Sequence, residues 1–281
     1  MCPAQLRPAL AIAVLALAPA PAAADLRPAT LAAFQRYVSL TEARMAGEMS
    51  GPSPRLWIDR QADRRPALLG KLQLGEVVSA PLQTYDGRAE IAVPGGLVHH
   101  WVGTVLLPGA TLDRVIAFVK DYPQYAARFA PMIQRARVLK QSADHFDVTM
   151  RTWARNVVTV VLDVDYAVDY RTLTPTTVVI KSVASNIYEV ADPGTAGEQR
   201  TPADRGQGFL WRLNTYCSFD ERPEGVYEQC ESISLTRDVP FGLGWMIRPF
   251  ITSIPRETMA FTLGKVRAGV LRPCSAGPPS C

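Results

Sequence analysis

The 281 residues carry 30 Lys+Arg against 26 Asp+Glu, a formal charge of +4, and 48% of them are hydrophobic. No basic run concentrates that charge, so there is no electrostatic footprint for nucleic acid and no nucleic-acid partner is expected. The length suits one large core, or one domain with an appendage.

Arg7 precedes an apolar run from Ala9 to Ala18, and Ala22-Ala23-Ala24 offers small residues for cleavage before Asp25. Residues 1–24 therefore read as a signal peptide, too short for a comfortable membrane span, and the mature protein is expected to be exported, periplasmic or secreted. Cleavage removes one Arg and no acid, which leaves 29 basic against 26 acidic residues. Cys217, Cys230, Cys274 and Cys281 remain. An even set in an exported chain permits disulfides.

Residues 25–95 read as an N-terminal helical extension. One helix spans Leu26 to Glu48, with Leu31, Phe34, Tyr37, Val38 and Met45 at helical offsets and Gly47 and Gly51 to end it. A connector from Gly51 to Arg65 carries the apolar patch Leu56-Trp57-Ile58, and a second helix covers Ala67 to Leu74. This stretch is too short for a core of its own.

After Pro94-Gly95-Gly96 comes a strand from Leu97 to Leu106, then a helix from Thr111 to Lys120, with Thr111 or Gly109 near its cap, that breaks at Asp121-Tyr-Pro-Gln-Tyr125. Arg137–Lys140 and Phe146–Trp153 form a hairpin. From Val158 to Tyr170 the even positions are apolar, while the odd ones include Thr159, Asp163, Asp165 and Asp169; this is a long strand whose acids sit on a solvated face. Thr177 to Val190 returns. The polar stretch from Asp192 to Gln207 is long for a hairpin loop and is a candidate lid.

Gly208 to Phe219 and Val226 to Val239 flank Asp220-Glu-Arg-Pro-Glu-Gly225 as a second hairpin. A two-residue turn at Pro223 and Glu224 sets Cys217 opposite Cys230, a disulfide candidate. Counting Gly225 into the loop sets Cys217 opposite Glu231 instead. The helical tail carries Met259, Leu263, Val266 and Val270 on one stripe. Pro249 and Pro255 divide it into a first segment, Gly242 to Thr252, and a second beyond a kink. Residues 272–281 are a flexible tail. The order is that of an α+β fold, a curved meandering antiparallel sheet of about seven strands with a C-terminal helix packed on it.

At Asp121-Tyr-Pro-Gln-Tyr125, Gly208-Phe-Leu-Trp-Arg212 and Glu231-Ser-Ile-Ser-Leu-Thr-Arg-Asp-Val-Pro-Phe-Gly-Leu-Gly-Trp245, the chain resembles the START-like, or SRPBCC, helix-grip superfamily, in particular its exported bacterial members. The likeness covers Leu97 to Val270, within a domain spanning residues 96–271. It implies a sheet wrapped round the terminal helix, enclosing an apolar cavity for a lipid, sterol or polyketide. It implies no cofactor and no shared catalytic residues.

If Ile233 and Leu235 point into such a cavity, period two brings Tyr227, Glu231 and Arg237 to the same side, where the two charges would orient the polar end of an amphiphile. Trp211, Leu213 and Thr215 on the neighbouring strand, and Trp245, Met246 and Phe250 on the tail, are the other cavity candidates. His99 and His100 alternate across a strand and cannot share a metal, and His145 sits in a turn, so no metal site is expected. These features point to an exported binding or carrier protein for a hydrophobic, lipid-like small molecule, with transient membrane contact. The alternatives are a polyketide-cyclase-like or isoprenoid-modifying enzyme that uses Glu231, Arg237 and Tyr227, or an interaction module without a cavity.

Overall fold

The computed structural model describes residues 24–51, 55–155, 159–238 and 244–272, with backbone alone for 244–252. The signal-peptide segment and the pair Cys274 and Cys281 lie outside the described residues. In chain order the elements are α1 (Pro28–Ser50), a 3₁₀ turn (Trp57–Arg60), α2 (Arg65–Gln73), β1 (Val78–Pro81), β2 (Tyr85–Asp86), β3 (Ala89–Glu90), β4 (Gly96–Pro108), α3 (Leu112–Lys120) and α4 (Tyr125–Arg128). Then follow β5 (Ile133–Gln141), β6 (His145–Arg155), β7 (Thr159–Thr174), β8 (Thr177–Ala191), β9 (Gln199–Arg200), β10 (Arg212–Arg222), β11 (Gly225–Arg237) and α5 (Gly244–Val270).

The long strands form one antiparallel sheet in the order β1-β4-β11-β10-β8-β7-β6-β5, with β9 on β8. Seven of these strands are the ones expected. β1 is an addition: four residues of the N-terminal extension pair with β4, Val78 opposite Thr104, and lengthen the sheet at one edge. The extension is thus not wholly helical, and β2 and β3 form a small separate hairpin.

The terminal helix α5 lies against the inner face, and its stripe Met259, Leu263, Val266 and Val270 joins Val105, Leu107, Phe146, Tyr170, Phe219 and Val226 in the main core. It seats closely on β4 at Gly103, where a Cβ would come within 2.5 Å of Met259 Sδ. A side chain there would hold the helix off the strand. The tail was expected to split at its prolines. Instead α5 runs as one 27-residue element through Pro249 and Pro255, and its second half is held on the sheet by core contacts.

Of the two cap candidates α3 takes Thr111, whose Oγ1 accepts from Arg114 N. The Asp121–Tyr125 break places Tyr122 against Tyr125 and Phe146, and the Tyr122 and Tyr170 hydroxyls share a 2.7 Å hydrogen bond.

The outer face is also covered. α1 buries Thr30, Phe34, Tyr37 and Thr41, one stripe at helical spacing. Phe34 and Tyr37 pack on Ile233, Leu235 and Trp211. Leu56, Trp57 and Ile58, with Leu68 and Leu72 of α2, pack on Val102, Leu106 and Tyr227.

Candidate functional site

β11 is the strand on which the two faces divide. Val226 and Cys230 point to α5, while Tyr227, Ile233 and Leu235 point to the N-terminal extension. The expected inward face was therefore the wrong one of the two. The alternation was sound, but the extension's apolar side chains need a surface and take the odd-numbered positions. Tyr227, Glu231, Ile233, Leu235 and Arg237 consequently share no cavity with α5, and Trp211 joins them on the outer side. Leu213 and Thr215, in phase with the core residue Phe219, do face inward. Trp245, Met246 and Phe250 are in the first turns of α5, outside the described side chains.

The sheet register decides between the two hairpin alternatives. Arg222 pairs with Gly225 across a two-residue turn, Cys217 stands opposite Cys230, and the two form a disulfide. Gly225 holds φ +134°, a conformation that L side chains rarely adopt, and a Cβ there would meet the Leu107 carbonyl at 2.2 Å.

On the inner face the even positions of β11 bring an unexpected residue into the core. Glu228, 3% exposed, sits between Val226 and Cys230, opposite Val105 on β4 and Phe219 on β10. Its Oε2 has no hydrogen-bond partner among the described residues. Oε1 lies 3.9 Å from Cys230 Sγ, a disulfide sulfur with no proton to give. Burial pushes this carboxyl up to about 8, so at neutral pH it is largely the uncharged acid, with an O–H to donate. The signal was an acid in phase with Val226 and Cys230, masked because β11 is apolar on both faces.

The inner face that carries Glu228 is not buried throughout. Trp101, Met150, Tyr166, Ile180 and Cys217 line the same face as half-buried residues at the margin of the core. His99, also inward, is held down to about 4 by burial and so is neutral, with Nε2 3.0 Å from Thr236 Oγ1.

On the outer face Glu231 belongs to a buried network. The Tyr37 hydroxyl accepts from Thr84 N and lies 2.9 Å from His100 Nδ1, and His100 Nε2 lies 2.6 Å from Glu231 Oε1. With the Tyr37 O–H donated to Nδ1, Nε2–H is the donor to Glu231 Oε1. Arg44 of α1 pairs with the same oxygen. Gln229 accepts from Trp57 N at 2.6 Å. These contacts tie the extension to the sheet. Tyr227 donates to Glu224 at 2.7 Å, and Arg237, half-buried at the strand end, abuts Gly208.

One other expectation changes. Asp163 was read as solvated, yet it is 2% exposed. Arg151 Nε and Nη2 donate to it at 2.8 and 2.9 Å, and Arg200 Nε at 2.6 Å. Burial pushes this carboxyl up, but the two guanidinium groups outweigh it and hold it below the usual range. The 192–207 loop is held at its C-terminal end: Gln207 N and Phe209 N donate to Glu189, and Ala24 N and Leu26 N donate to Gly206 O and Asp204 O.

No family model matches the chain, and no curated protein matches it. Among solved structures it is similar to the Zhui aromatase/cyclase from Streptomyces sp. R1128, at 13% identity over 64% of this chain and 98% of that one, TM-score 0.45. It is also similar to a STAR-related lipid transfer protein from Xanthomonas axonopodis, at 15% identity over 69% of this chain and 99% of that one, TM-score 0.43. A third is the human StarD13 lipid transfer and protein localization domain, at 7% identity over 74% of this chain and 96% of that one, TM-score 0.41. These are START-type and aromatase/cyclase domains, the group that the sequence resembles, and at such identities the likeness concerns the fold alone.

Proposed function

We propose that the protein binds a hydrophobic, lipid-like small molecule against the inner face of the sheet, beneath α5, and works as a carrier for it. The observation that carries this reading is Glu228: a buried, neutral carboxylic acid with an unengaged oxygen, on a sheet face that also carries half-buried apolar side chains. A buried polar group without a partner is costly, and a ligand hydroxyl or carbonyl at the end of an apolar body would supply one. Binding would then draw on removal of apolar surface from water, with Glu228 fixing the orientation. Leu213 and Thr215, on the same face, belong to this site.

The carrier is exported in this reading. The apolar run before Asp25 and the Cys217–Cys230 disulfide both favour an oxidising compartment. A mature N-terminus at Asp25, read by intact mass from the native host, checks it.

The decisive experiment is native mass spectrometry with organic extraction of protein purified from its own host. A stoichiometric apolar ligand is expected, and Thr215→Trp, which fills the inner face, should abolish its retention while the thermal melt stays cooperative. A bare mass that persists after incubation with host lipids would overturn the reading.

A further inference from the structure

The opposite face holds a second space. Between the last turns of α1 and the outer face of β7, β8, β10 and β11 lies a pocket of about 360 Å³. That is within the ~300–1,000 Å³ of small-molecule sites. Met45 and Met49 wall it from the helix, and Val179, Tyr216 and Ser218 floor it from the sheet. Thioether side chains on a helix next to Val179 give an adaptable apolar lining.

The charges round this pocket are unevenly matched. Each of its four carboxylates is engaged. Glu42 takes Lys181 at 2.7 Å and the Tyr216 hydroxyl at 2.6 Å, and Glu48 takes Arg44 at 2.8 Å and Arg60 at 2.9 Å. Glu231 takes His100 at 2.6 Å together with Arg44, and Asp169 takes His145 at 2.7 Å.

Two guanidinium groups are left with weak acceptors. Among the described residues Arg55 reaches only a hydroxyl, Thr177 Oγ1 at 3.4 Å, and Arg171 only a thioether, Met49 Sδ at 3.5 Å. The two are near neighbours. Arg171 stands opposite Val179 across β7 and β8, and Thr177 is two residues from Val179 on the same strand.

We infer that this outer pocket is a second binding site, for a small amphiphile with an apolar body and a carboxylate or phosphate head. The body lies over Val179 between Met45 and Met49, and the head is held by Arg55 and Arg171. Guanidinium groups favour planar or tetrahedral oxyanions through paired N–H donors. Both arginines are exposed, so the head stays at the wet mouth while the chain goes in. The site is separate from the one beneath α5 and does not depend on it.

The test is calorimetric titration of the full mature chain with dodecanoate, dodecyl phosphate and 1-dodecanol, each below its aggregation limit, with inorganic phosphate as the headgroup alone. Thr215→Trp protein isolates the outer pocket. Dodecanoate and dodecyl phosphate are expected to bind it about tenfold more tightly than dodecanol, and an Arg55→Gln/Arg171→Gln double variant should erase that preference. Met45→Trp, at a half-buried position of α1, should block every chain-bearing probe. If Thr215→Trp does not fold, Met45→Trp and the arginine pair in the otherwise native chain decide the matter.

Binding lost in Thr215→Trp but untouched by Met45→Trp and the arginine pair would place the ligand under α5 and overturn the inference, as would inorganic phosphate binding as tightly as dodecyl phosphate. Dodecanoate binding that survives Thr215→Trp, with no host ligand retained, would instead leave this site standing and remove the inner one.

Discussion

Replacing Glu228 with Gln removes a titration from the core while nearly keeping its shape. The folded carboxyl titrates at about 8 against an ordinary 4.5, because burial penalises the charged form. Between those values the folded state keeps a proton that the unfolded chain has released. This residue therefore erodes stability as pH rises from about 4.5 to 8 and adds no further loss above, at about 1.4 kcal/mol per pH unit. The whole span comes to roughly 5 kcal/mol, and the part between pH 5 and 7 to roughly 3 kcal/mol.

His99, held down to about 4, imposes the opposite slope below its ordinary value of 6.5, so the wild-type curve alone does not isolate the acid. The difference between Glu228→Gln and wild type does. Urea denaturation of both proteins at half-unit steps from pH 5 to 9 should show the variant gaining on the wild type with rising pH, then levelling above pH 8. A pH-independent difference would mean that Glu228 is solvated or paired, and the reasoning about the inner face would fall with it.

Asp163→Asn should lose about 2 kcal/mol at pH 7, because Arg151 and Arg200 would face an uncharged partner, a loss moderated by the exposure of Arg200. The wild-type contribution is present above the ordinary carboxylate value and disappears as pH falls through the lower folded one, so the two proteins should converge in acid denaturation. Gly103→Val should lower stability by about 1–3 kcal/mol by pushing Met259 and Leu263 of α5 off β4, and an unchanged melting temperature would refute the close seating. Cys217→Ala/Cys230→Ala opens a link between residues 13 apart in sequence, and equilibrium unfolding should show a loss of about 2–4 kcal/mol that reductant reproduces in the wild type.

The alternation from Val158 to Tyr170 was plain in the sequence because β7 has one apolar face, and the start of α3 and the Asp121–Tyr125 break were plain because their chemistry is local. β11 was different. Gly225 to Glu231 is buried on both sides, so period two separated its faces without saying which met α5 and which met the extension. That one binary choice moved Tyr227, Ile233 and Leu235 to the outer side and hid Glu228. Asp163 looked solvated because a single strand cannot show that Arg151 and Arg200 converge on it from elsewhere. β1 escaped notice because it is four residues long and ends on Pro81; its pairing with β4 is a tertiary fact. In α5 the two prolines marked a break that the helix does not make.

The outer covering of the sheet bears on the order in which the chain can fold. Arg44 pairs with Glu231, 187 residues later, and Trp57 N with Gln229, 172 residues later. Contacts of such separation form late, since the intervening loop must close first. During synthesis α1 and the Leu56-Trp57-Ile58 patch emerge early, but the surface they bury against is completed only with β11. Until then Phe34, Tyr37, Leu56, Trp57 and Ile58 have only part of their native surroundings, from α2 and β4, and stay open to association with other chains. The segment made first is thus among the last to reach its place, and the protein depends on its nascent N-terminal side being kept apart until nearly the whole sheet exists.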